Sequence, residues 1–186
     1  MAHIYAIIDT ETTGLTKHPD VDVSQQPKII EFGGILTDGV NVLEKLNFIC
    51  NPIVNGKPVI LEPLITKITG LTNEDLSGEP EFKTYIPDLK NFLSKADVVI
   101  AHNMSFDRSL IFYEMIRMGL TLDDISFPKI QWCTVEFTMP QFGYRRKLID
   151  LYNMYCPKAI QTHRADDDVL MLFEICKALN IFHLMV

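Results

Sequence analysis

The sequence predicts an α/β protein in which helices flank a mixed central sheet. Three observations carry that expectation. Short apolar runs bounded by polar residues come first, at 4–9, 29–37 and 42–50, and the first has the pattern of a strand buried on both faces. The second and third runs are joined by Thr37-Asp38-Gly39-Val40, and Asp-Gly between apolar runs signals a hairpin. Strands then alternate with segments of helical period, which is the order of a layered α/β domain.

The elements follow in turn. Residues 63–76 read as a broken helix, punctuated by Gly70 with Thr72 and Asn73 as caps. Residues 82–93 are helical, with a kink or restart at Pro87. A further buried strand at 97–101 leads into a helix at 105–118 that stops at Gly119. Short helices are expected at 134–137 and 147–155, separated by Met139-Pro140 and closed by Pro157. The last helix, 166–179, has the clearest period. No repeat or long linker divides the chain, so 1–186 is expected to be a single domain.

Apolar residues make up 47% and charged residues 22%, a composition for a packed core rather than disorder. A net charge of −7 argues against a protein held to nucleic acid by its own charge, unless it carries its own cations. Cys50, Cys133, Cys156 and Cys176 form no CxxC pair, which disfavours a zinc ribbon or thioredoxin-type site and fits free thiols in a reducing compartment. No apolar run reaches the ~18 residues of a membrane helix, and the N-terminal run stops at Asp9 without a basic leader. An intracellular, cytoplasmic protein with no membrane association is expected.

Three segments carry the chemistry. Asp9 and Glu11, two apart at the end of the first strand, project from one face. Their spacing suits oxygen ligands for Mg²⁺ or Mn²⁺, and equally a solvated strand end before a Gly turn. Asp107 enters the helix after the 97–101 strand, in register with Ile111 and Met118, so it faces inward and needs a partner. Of the three acids 166–168, helical phase puts Asp168 on the apolar stripe with Leu172, Ile175 and Leu179. His163 lies just ahead of that helix. A histidine, with an ordinary pKa of about 6.5, can take a proton near neutral pH.

Together these segments resemble the DEDDh family of 3′→5′ exonucleases, which includes the proofreading subunit of bacterial replicative polymerase. Asp-x-Glu-Thr-Thr-Gly-Leu (9–15), His-Asn-x-x-Phe-Asp (102–107) and His-x-Ala-x-x-Asp (163–168) match the three family motifs in order, as does Ile-Thr-Gly-Leu-Thr at 68–72. The resemblance implies a ribonuclease H-like fold, and two divalent ions, Mg²⁺ or Mn²⁺, held by Asp9, Glu11, Asp107 and Asp168. It implies His163 as general base, Leu15 wedged against the terminal base, and backbone contact from Thr12 to the terminal nucleotide. Thr69, Asn103 and Phe106 would line the same pocket, although the position of Thr69 can be a His in the proofreading branch. The activity implied is hydrolysis of single-stranded or frayed 3′ ends to nucleoside monophosphates, DNA being preferred over RNA, with a DNA polymerase as a candidate partner. Two rivals are an inactive nuclease-like binding module and an oligoribonuclease-type enzyme acting on short RNA. All five catalytic positions are intact, which weighs against the first. Arg145-Arg146-Lys147 is the one tight basic cluster, readable as a contact to a nucleic-acid backbone or as a solvated helix start.

Overall fold

A computed structural model of the chain describes residues 3–184. β1 (Tyr5–Thr12), β2 (Ile29–Thr37) and β3 (Val42–Ile49) form an antiparallel meander. A small separate hairpin follows, β4 (Ile53–Val54) with β5 (Lys57–Pro58). β6 (Val98–Ala101) then joins β1 in parallel, and β7 (Ile130–Cys133) joins β6. The main sheet therefore runs β3-β2-β1-β6-β7.

The helices are α1 (Pro63–Thr69), α2 (Asn73–Ser77), α3 (Ile86–Leu93), α4 (Met104–Arg117), α5 (Thr134–Phe142), α6 (Leu148–Tyr155), α7 (Ala165–Ala178) and α8 (Ile181–Leu184). Alternation along β1 sorts its side chains into two layers. Ala6 and Ile8 pack in one core with Leu89 and Phe92 of α3 and Leu110 and Ile111 of α4. Tyr5 and Ile7 pack in the other with Val169, Leu172 and Ile175 of α7. The mixed α/β sandwich expected from the sequence is present.

Several details differ. β1 extends past Asp9 to Thr12 because the whole acidic motif pairs with β2. The Asp-Gly hairpin is present, but Thr37 pairs with Val42, leaving a four-residue loop. Asp38 shapes that loop by accepting from the Val40 and Asn41 amides. Pro87 restarts the chain as expected: a short 3₁₀ turn, Phe82–Tyr85, gives way to α3 with the proline in its first turn. α5 does not stop at Met139-Pro140 but runs through Pro140 to Phe142, where Gly143 caps it with φ 76°. β4, β5, β7 and α8 were not anticipated. Each is two to four residues long, too short for a period to declare itself.

Candidate active site

Asp9 and Glu11 lie on the face of β1 that Tyr5 and Ile7 bury beneath α7. α7 begins at Ala165 and turns Asp168 onto that face, where it is 4% exposed, while Asp166 and Asp167 are only half-buried. The helical phase thus selects the expected acid. One Asp168 oxygen accepts from the Gln161 amide. The other, Oδ1, is buried with no hydrogen-bond partner among the described residues, an arrangement that is costly unless something else satisfies it. Glu11, His163 and Asp168 each bring a ligand-type atom within 4.8 Å of the others. His163 is exposed, and its φ of 54° turns the chain sharply just ahead of α7.

Asp107 arrives from the opposite layer. It is 2% exposed and accepts a 2.8 Å hydrogen bond from Thr10 Oγ1, the side chain between the two β1 acids. That bond ties α4 to the strand at the site, and the Asp107 charge is felt at Asp9.

Burial in a half-dry cleft raises all four, and the charges of neighbouring acids add to it at Asp9, Glu11 and Asp168. Burial, then the charges of Asp107, Asp168, Glu11 and Glu31, hold the Asp9 carboxyl well above the usual range. Glu11 is pushed up to about 8 by burial and by Asp168, Glu31 and Asp107, with Arg164 opposing. Burial raises Asp107 to about 7 against the Thr10 hydrogen bond. It raises Asp168 to about 6 against the Gln161 bond and His163. A constellation of carboxylates that resists ionisation, with one orphaned oxygen, fits a hard divalent cation, which favours the charged forms and satisfies the free lone pairs.

Two supports escaped sequence reasoning. Glu31 is 3% exposed, faces Glu11 across the β1–β2 ladder, and takes a bidentate grip from Arg164 at 3.0 and 2.8 Å. The pair locks β2 to the residue following His163. The signal was an acid inside the apolar run Ile29-Ile30-Glu31-Phe32. The second is Gln161, for which the sequence offers no signal. Gly33 adds a backbone support: a Cβ there would lie 2.4 Å from the carbonyl carbon and oxygen of Ala165, so α7 sits directly on β2.

The expected substrate contacts divide. Leu15 is 82% exposed at the mouth of a groove of about 590 Å³ that runs past Lys28 to Leu64 and Ile65. Thr12 is buried and its hydroxyl donates to the Gly14 carbonyl at 2.7 Å, shaping the turn that presents Leu15. Asn103 sits at the start of α4 in the left-handed region, φ 83°, and Phe106 is half-buried one turn along. Thr69 is buried, donating to the Ile65 carbonyl and accepting from the Leu71 amide. Its hydroxyl closes the end of its own helix.

Residues 6–176 match the RNase_T exonuclease family model. The PolC-type DNA polymerase III of Caldanaerobacter subterraneus subsp. tengcongensis is 26% identical over 171 residues, covering 92% of this chain and 11% of that protein. The epsilon subunit of DNA polymerase III from Treponema pallidum is 24% identical over 184 residues, covering 96% of this chain and 77% of the relative. Among solved structures, the nuclease domain of 3′hExo, a DEDDh family member bound to rAMP, superposes with a TM-score of 0.76 at 16% identity, covering 97% of this chain and 92% of that one. This chain thus spans about a tenth of the PolC-type relative. The fold is ribonuclease H-like, and among the described residues no helix is long and apolar enough to cross a membrane. The match over nearly the whole length, on a sheet that gathers the motif acids, establishes that the chain belongs to the RNase_T family of exonucleases.

Proposed function

We propose that residues 1–186 form one exonuclease domain that removes nucleoside monophosphates from single-stranded or frayed 3′ ends, DNA being preferred over RNA. The observation that carries this reading is the cleft that gathers Glu11, Asp168 and His163, with Asp9 near enough to feel the charges of Glu11 and Asp168, Asp107 bonded to Thr10 of β1, and one Asp168 oxygen orphaned. Asp9, Glu11, Asp107 and Asp168 would hold two divalent ions, Mg²⁺ or Mn²⁺. Bound there, such ions lower the pKa of water and neutralise charge on the phosphate and the leaving oxygen.

The chain's own groups do the rest. His163, exposed on a sharply turned loop beside Glu11 and Asp168, accepts the proton of the attacking water. Gln161 holds Asp168 by one oxygen and leaves the other free. Arg164, clamped on Glu31, fixes the loop that presents His163. Leu15 is exposed where it can wedge between the last two bases, and Asn103 and Phe106 flank the terminal nucleotide. Relatives named as DNA polymerases support the DNA preference and make a polymerase the candidate partner.

The test uses matched 5′-labelled DNA and RNA oligonucleotides with Mg²⁺ or Mn²⁺, and EDTA as control. A metal-dependent ladder of shortened products, faster on DNA, is expected. Binding without shortening would instead identify an inactive module, and activity confined to very short RNA would identify an oligoribonuclease-type enzyme.

A further inference from the structure

The basic cluster at 145–147 is braced against the site from a distant part of the chain. The Arg145 guanidinium donates to Asn103 Oδ1, 42 positions earlier in the chain and at the head of the helix that carries Asp107. The loop holding Arg145 is itself pinned. His102 Nε2 lies 3.0 Å from the Arg146 carbonyl and Nδ1 lies 2.9 Å from Thr134 Oγ1. The carbonyl can only accept, so Nε2 carries the proton and Nδ1 accepts from the hydroxyl. Burial lowers the His102 pKa and favours this neutral form. The Arg146 side chain adds a second anchor, its guanidinium lying 4.4 Å from the Tyr144 ring centre and 4.7 Å from that of Phe142.

Arg145 is therefore exposed but held in place, and it makes no ion pair among the described residues. Its one acceptor among the described residues is a neutral amide oxygen, which leaves its charge without an opposite partner there. The positive end of the α4 dipole lies beside it. Asn103 precedes Asp107 by about one helical turn, about 6 Å along the axis, so Arg145 is held about one turn of α4 away from an acid of the cleft. Cleft acids repel nucleic acid, and the chain is acidic overall. A fixed arginine on the rim, with no ion pair among the described residues, answers that repulsion for a phosphate near the terminal nucleotide.

We infer that Arg145 is a substrate-binding residue that grips a backbone phosphate of the bound strand near its 3′ end. The inference rests on the exonuclease reading above. Its test measures binding of a fluorescent oligothymidylate, blocked at its 3′-terminal linkage by a phosphorothioate, over a series of KCl concentrations in Mg²⁺. Arg145→Ala should weaken binding about tenfold and reduce the log–log salt slope by about 0.7, the share of one phosphate on a single strand. Arg145→Lys should restore the slope. A neutral methylphosphonate, placed in turn at each linkage near the 3′ end, should at one of them cost the wild type a similar factor and the Arg145→Ala protein nothing further. Lys90→Ala, an exposed change on α3, is the control for a slope that does not move. An unchanged slope in Arg145→Ala, or an undiminished methylphosphonate penalty, would overturn the inference and leave Arg145 as a brace for Asn103. Failure of the wild type to shorten an unblocked strand would sink the exonuclease reading instead, while the slope would still report on Arg145.

Discussion

Replacing Gly33 by alanine tests whether the α7–β2 contact sets the geometry of the site. The added Cβ would lie 2.4 Å from the Ala165 carbonyl carbon and oxygen and 2.8 Å from the Asp166 nitrogen. These are backbone atoms and cannot swing aside. Ordinary contact begins near 3.4 Å, so the first turn of α7 must retreat by about 1 Å. Overpacking of this kind costs about 1–3 kcal/mol, a fall of a few degrees in midpoint for a chain of this size. The larger effect is on chemistry. His163 and Arg164 lie immediately before the displaced turn and Asp168 within it, and a misplacement of about 1 Å can cost about 10²-fold in rate. Single-turnover cleavage of a 5′-labelled strand, alongside urea denaturation, separates the two. Gly78→Ala, with open space around its Cβ and φ of −92°, should leave both near wild type. A folded Gly33→Ala protein that cleaves at the wild-type rate would refute the reasoning.

Three further outcomes follow from the same geometry. In EDTA the folded protein holds protons on Glu11, Asp107 and Asp168 up to about 8, 7 and 6, whereas the unfolded chain releases them near 4. The folded state binds more protons across that window, so thermal stability should fall as pH rises from about 4 to 8. Mn²⁺ should reverse the fall, and a midpoint that stays flat or rises with pH in EDTA would contradict the crowding of acids. His163→Ala should cut the single-turnover rate by about 10²- to 10⁴-fold with little change in Mn²⁺ affinity measured calorimetrically; a folded variant with near wild-type rate would end the general-base assignment. Glu31→Gln leaves Arg164 without its charged partner in a partly buried setting and should destabilise the fold by about 1–3 kcal/mol, with a drop in turnover that Arg164→Lys reproduces in part. Equal rates in both variants and the wild type would show that the clamp does not position His163.

Much of the fold was legible because its signals are local. The all-apolar run of β1, the Asp-Gly turn after β2 and the long period of α7 each declare themselves within a few residues. Asp168 was separable from Asp166 and Asp167 by helical phase alone. What stayed hidden depends on partners distant in the chain. Glu31 reads as an oddity in an apolar strand until Arg164, 133 positions later, is seen to hold it. In the sequence Arg145 is open to two readings, a contact to a nucleic-acid backbone or a solvated helix start, and only the fold shows His102 pinning its loop and Asn103 accepting from its guanidinium. Thr69 shows local chemistry that the motif alone does not declare. Its hydroxyl bonds the Ile65 carbonyl and the Leu71 amide at the end of α1.

The central question is whether the strand is cut from its 3′ end by the acids carried on β1, α4 and α7. One measurement addresses that most directly: time courses of the same single strand labelled at either end, with Mg²⁺, for the wild type and Asp168→Asn. The predicted result is immediate release of a labelled mononucleotide from the 3′-labelled strand, stepwise shortening of the 5′-labelled one, and neither with the variant. Release of a mononucleotide from the 5′ end, internal cuts, or full activity in a folded Asp168→Asn protein would contradict it.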